Sequence, residues 1–144
     1  MIKYSDVYKR IISIIRQNFN EDVYTNDTDD VKRPCFIIEL VAYPSSYHNN
    51  NTKDRGCAIK ITHLDKVKDT AKSLEIAEKV ETAFGKTIEI NKRHVLVKEI
   101  SHSWLGSKAD ILQITAELNW LNEIEDTSNY EIMKHLHTKG EINE

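Results

Sequence analysis

Six histidines, two cysteines and 23 carboxylates are the side chains of this 144-residue chain that could bind a metal, attack a carbon or move a proton. Metal ligation needs three or four of them at a workable spacing. His135 and His137 stand two apart, so they share one side of an extended segment but not of a helix, and no Cys, Asp or Glu completes a familiar ligand set around them. They read as solvated histidines. Cys35 and Cys57 are 22 positions apart, outside any metal or redox spacing, and both fall in apolar runs where a free thiol behaves as a small hydrophobe. His63 lies on the apolar side of an alternating run and reads as a core or edge histidine with its hydrogen bond satisfied. His102 adjoins Ser103 and Trp104, but no orienting acid stands near in sequence, so neither a serine nor a cysteine nucleophile is indicated. Glu39, set in an apolar run, is expected on the solvent face or edge of a strand. Gly85-Lys86-Thr87 resembles the end of a phosphate-binding loop, but the glycine such a loop needs five positions earlier is Val80. The glycine reads instead as a helix C-cap. No catalytic, cofactor or metal site is therefore expected.

Charge offers interaction rather than chemistry. The net charge is −3, against a dedicated nucleic-acid binder. Residues 1–52 carry 6 basic and 7 acidic groups (net −1), 53–98 carry 11 and 7 (net +4), 99–108 one of each, and 109–144 carry 2 and 8 (net −6). A basic middle and an acidic end can steer self-association. Lys60, Lys66, Lys68, Lys72, Lys92, Arg93 and Lys98 could share a basic face. No aromatic platforms interleave them and no DNA-reading motif is present, so only non-specific contact with nucleic acid is expected. Tyr47, Lys60, Lys92, Arg93, Tyr130 and Met133 are the expected interaction residues.

The elements that must position these residues follow from periodicity. Val7, Ile11, Ile12, Ile14, Ile15 and Phe19 recur at helical spacing behind Ser5-Asp6, predicting an amphipathic helix over about 5–18. Val23-Tyr24 is a candidate short strand. Cys35 to Tyr43 is a β-branched apolar run between two prolines, read as a strand. Residues 44–54 read as a polar loop whose only apolar anchor is Tyr47. Residues 55–64 alternate and read as the returning strand of an antiparallel hairpin. Asp69 or Thr70 caps a second helix over 70–84, with Ala71, Leu74, Ala77, Val80, Ala83 and Phe84 as its stripe and Gly85 as its stop. Strands follow near 87–90 and 94–101. In the run 111–121, Leu112, Ile114, Ala116, Leu118 and Trp120 face inward while Gln113, Thr115, Glu117 and Asn119 face water or a partner.

This order predicts an α+β two-layer sandwich: a mostly antiparallel or mixed sheet of four to five strands, two helices on one face, the other face open. Residues 1–121 form the single domain, large enough to fold without disulfide or metal. Residues 122–144 read as an acidic tail whose weak stripe Tyr130, Ile132, Met133 and Leu136 orders as a short helix on a partner. No run approaches a membrane span and nothing at the start resembles a signal peptide, so a protein working in a cytoplasm, or in something assembled there, is expected.

The N-terminal helix, Lys32-Arg33-Pro34-Cys35-Phe36-Ile37-Ile38-Glu39-Leu40, the strand ending Ile59-Lys60-Ile61, the helix Leu74-x-Ile76-Ala77-x-x-Val80-x-x-Ala83-Phe84 and the strand Asp110-Ile111-Leu112-Gln113-Ile114-Thr115-Ala116-Glu117-Leu118 together resemble the tail-terminator proteins of long-tailed bacteriophages and phage-like prophage elements of Gram-positive bacteria. The likeness covers about residues 5–121. It implies an α/β sandwich without enzymatic activity or cofactor, assembled as a ring, commonly of six copies, on the end of the tail tube. Its implied partners are other copies of itself, the tube protein and a head-completion or connector protein. Its implied locations are the host cytoplasm during assembly and then the virion or a phage-like particle. A head–tail connector or other minor tail component, a small adaptor, and an enzyme built on His63, His102 and Glu99 are the alternatives.

Overall fold

The computed structural model describes residues 1–25 and 31–123. Its elements are α1 (Tyr4–Asn18), β1 (Asp22–Tyr24), β2 (Cys35–Ala42), β3 (Ser46–Tyr47), β4 (Thr52–Leu64), α2 (Thr70–Phe84), β5 (Thr87–Ile90), β6 (Arg93–Leu105) and β7 (Ile111–Glu123).

Helix α1 begins one residue earlier than its sequence signal, with Lys3 rather than Ser5 as N-cap. The Asp6 carboxylate accepts the Lys3 backbone N–H at 2.9 Å, satisfying a donor the helix leaves orphaned. Val7, Ile11, Ile12, Ile14 and Ile15 are buried, as the spacing requires. Helix α2 has the expected bounds. Asp69 is its cap, accepting from the Lys72 N–H at 3.2 Å, and Gly85 ends it at φ 64°. Its buried stripe is Ser73, Ile76, Ala77, Val80 and Phe84, so Ala77, Val80 and Phe84 face inward as the spacing requires, while Ala71 and Leu74 are exposed and Ser73 and Ile76 take the inward places.

The strands form one seven-stranded sheet in the order β1-β2-β4-β7-β6-β5, with β3 beside β4. This corrects the expected four to five strands. Two of the strands are very short: β1, at the candidate Val23-Tyr24, has three residues, and β3 has two, too few to carry a period, and exists because β4 pairs it. β1 runs parallel to β2 and the other pairs are antiparallel, so the sheet is mixed. The α+β class holds, but a two-layer sandwich is too coarse a description. α1 packs against β1 and β2 at one end of the strand order and against β5 at the other, so the sheet curls around it. Accumulated right-handed twist produces such curling, and the bulge between Val97 and Glu99 in β6 adds a local bend.

Phe36, Ile38, Ile59, Ile61, Val95, Leu112, Ile114, Ala116, Leu118 and Trp120 line the concave face beneath both helices. All five expected inward residues of β7 are buried. A second, smaller cluster of Cys35, Ile37 and Leu64, with Tyr24, Val31 and Ile111 against it, lies on the convex face at one end of the sheet. β7 continues through Asn122 and Glu123. Buried Asn122 accepts the Ile2 N–H at 3.0 Å and donates to the Ile2 carbonyl at 2.7 Å, pinning the lead-in of α1 to the end of β7. The stripe around Tyr130 and Met133, and His135 and His137, lie outside the described residues.

Candidate interaction surface

The convex sheet face is built by alternation. Each strand sends every second side chain to the helices and the rest outward. Register aligns the outward residues into rows across β2, β4, β7 and β6: Ile37, Thr62, Gln113 and Ser103; Glu39, Lys60, Thr115 and Ser101; Val41, Ala58, Glu117 and Glu99; and then Gly56, Asn119 and Leu96, with Tyr43 bonded through its N–H to the Gly56 carbonyl at 2.9 Å. The middle rows are polar, as expected for Gln113, Thr115, Glu117 and Asn119. Glu39 is exposed on this face, as its place in the sequence suggested.

The last rows combine apolar and acidic groups. Val41, Tyr43, Leu96 and Leu121 are all more than a third exposed. Glu99 and Glu117 stand directly opposite on β6 and β7, and like charges in that position repel. The Tyr43 hydroxyl donates to Glu117 Oε1 at 2.9 Å. That hydrogen bond, with partial burial and the nearby negative charges, raises the phenol above its ordinary value. The ring reaches there by crossing Gly56, where a Cβ would sit 3.0 Å from the Leu118 carbonyl and 3.4 Å from Tyr43 Cδ2. Neither glutamate lies within ion-pair distance of a cation among the described residues.

The four expected interaction residues within the described chain are spread over the molecule. Tyr47 is 71% exposed on β3, with Lys53 Nζ 5.5 Å from its ring centre. Lys60 is in mid-face, between Glu39 and Thr115. Lys92 is on the β5–β6 turn, where Asn91 at φ 52° and Lys92 at φ 64° have the paired left-handed backbone of a two-residue hairpin. Arg93 next to it is already engaged, its guanidinium donating to the Leu121 carbonyl and to Asn122 Oδ1. Tyr130 and Met133 lie outside the described residues. The sequence reasoning missed Tyr43, Leu96, Glu99 and Leu121 as surface candidates. A signal existed at Leu121, an apolar residue where the alternation of β7 calls for a polar one.

The residues of the alternative enzyme site do not converge. His63 is buried, its Nε2 2.6 Å from Glu21 Oε2 and its ring 4.8 Å from that of Phe36. His102 lies on the concave side of β6 with Ile100 and Trp104, whereas Glu99 points to the convex side. Cys35 and Cys57 are both buried free thiols. Burial pushes Cys35 up and Cys57 to about 12, the opposite of an activated nucleophile. Among the described residues no three His, Cys, Asp or Glu side chains gather as a metal site requires, and no helix is long and apolar enough to cross a membrane.

No curated protein matches the chain. Among solved structures, a chain from the virion of a native gene transfer agent particle is similar at 11% identity over 82% of this chain and 92% of that one, with a TM-score of 0.46, too distant a likeness to speak to role. The family model described as phage tail terminator protein matches residues 6–130. That match runs from the first turn of α1 to beyond the end of β7, and by it the chain belongs to the phage tail terminator protein family and is a structural protein of the phage tail.

Proposed function

We propose that copies of this chain close a ring, of six in the simplest case, on the end of the tail tube. The ring stops tube polymerisation and presents the surface to which a head-completion or connector protein joins. The family match over residues 6–130 carries the reading. The open convex face supports it, because a ring protein must keep a face or edge for its neighbour. No reaction is catalysed and no cofactor is held. DNA passing through the ring meets it without sequence specificity. Assembly takes place in the host cytoplasm, before the finished particle.

Within this reading, residues 1–123 are the folded body and the acidic segment after Glu123 docks on a partner, with Tyr130 and Met133 as its apolar contacts. Tyr47, Lys60 and Lys92 are contact residues on the body. Arg93 belongs rather to the body's own bonding, so Lys92→Glu is the clean charge reversal. It should weaken ring assembly, and unchanged assembly in a sedimentation assay removes Lys92 from the contact.

Deleting the gene and imaging the particles by electron microscopy tests the function. Tails of uncontrolled length without heads are expected. Tails of normal length that fail to join heads would make the protein a connector. Normal infectious particles would overturn a morphogenetic role.

A further inference from the structure

Two surfaces, one beginning at the middle of β4 and the other just beyond its end at Leu64, complement each other. The first is the stretch of the convex face where the Glu99–Glu117 pair is followed, one row on, by Leu96 (50% exposed) opposite Asn119 and, two residues further along β7, by Leu121 (39% exposed). The glutamates repel each other, and neither Lys60 nor Lys98 comes within ion-pair distance of them. A cation arriving from outside would relieve that repulsion. The second is the connection from β4 to α2, where Val67 stands 75% exposed between Lys66 and Lys68. The neighbouring acids are already committed. Asp65 accepts the Lys66 N–H at 2.7 Å and pairs with Lys72 at 3.2 Å, and Asp69 caps α2. Lys66 and Lys68 therefore keep their charge for another partner.

The two surfaces cannot meet within one chain. The row of Ala58, which holds Glu117 and Glu99, is separated from Leu64 by about 20 Å of strand, and the Val67 loop lies beyond that. We propose that the Leu96–Leu121 stretch receives the Lys66-Val67-Lys68 loop of a second copy of this chain, Val67 covering the two leucines and the lysines facing Glu99 and Glu117. The contact rests on the ring reading above and gives it a specific joint. Because giver and receiver are different surfaces, it is head-to-tail, and its repetition generates a closed ring when the rotation permits.

Cysteine cross-linking tests the joint. The buried native thiols leave a low background. In tails purified from cells carrying Val67→Cys/Leu96→Cys, mild oxidation should give a ladder of cross-linked multimers, and either single substitution should give none. Adding Lys66→Glu/Lys68→Glu should reduce the ladder several-fold. Cross-linking by Val67→Cys alone would mean like-with-like pairing and overturn the joint. No ladder in tails that contain the protein would overturn the joint and leave the terminator reading standing. Unmodified tails that lack the protein altogether would overturn both.

Discussion

Cys57, Cys35, Tyr8 and Tyr43 all hold their protons to higher pH in the folded chain than in the unfolded one: burial raises Cys57, Cys35 and Tyr8, and the bond to Glu117 raises Tyr43. The unfolded chain loses those protons first, so their contribution to stability is intact below the ordinary thiol value of 9.0 and is lost as the pH rises toward about 12. The urea midpoint should fall between about pH 8.5 and 10.5, and less steeply in Cys57→Ala. Asp6 gives the opposite limb. Its bond to the Lys3 N–H holds the carboxyl below the usual range, so its share is present above the unfolded value of 3.8 and is lost as acid protonates the folded carboxylate. Buried His63 offers a third check. Glu21→Ala leaves its Nε2 without a partner, which should cost about 1–3 kcal/mol in urea unfolding. The sequence placed Glu39 outward because a carboxylate in an apolar strand must reach solvent, and His63 inward because the alternation of its strand puts it on the apolar face. It did not point to Glu21, 42 positions away on the turn before β1, because only the packed fold brings the two together.

Elements with several periods were legible, and those without were not. The bounds of α2 follow from Asp69 and Gly85, which cap the helix by their own chemistry whatever surrounds it. Asp69→Ala should lower stability by about 1 kcal/mol, read in urea or thermal unfolding. The stripe of α2 was misread at Leu74 because its helical pattern is diluted by alanines, and the approach of α1 and β6 selects the face. β6 was foreseen only to residue 101, since exposed His102 and Ser103 hide the alternation that Ile100 and Trp104 continue. At Gly56, a close approach requires glycine. Gly56→Val pushes a branched side chain against the Leu118 carbonyl and should cost about 1–3 kcal/mol and loosen β4 from β7. Amide hydrogen exchange would show that loosening across this pair of strands.

At the scale of the whole molecule, the class and the two-faced sheet were visible in the sequence, while the curl and the joining of distant segments were not. Curl arises from small twists summed over seven strands, and no local pattern encodes a sum. The Asn122 clamp on Ile2 spans 120 positions. Its loss in Asn122→Ala orphans both backbone groups of Ile2 and should destabilise the fold by about 2 kcal/mol or more, measured by urea unfolding. Strand order has a consequence for how the protein is made. β7 lies between β4 and β6, yet of all the described strands it is synthesised last. Until it leaves the ribosome, the nascent chain carries two half-sheets with unpaired inner edges and no means of closing. A product cut short before residue 111 thus lacks the keystone and cannot present a finished face. Translation through the end of β7 is what completes the sheet and its convex face.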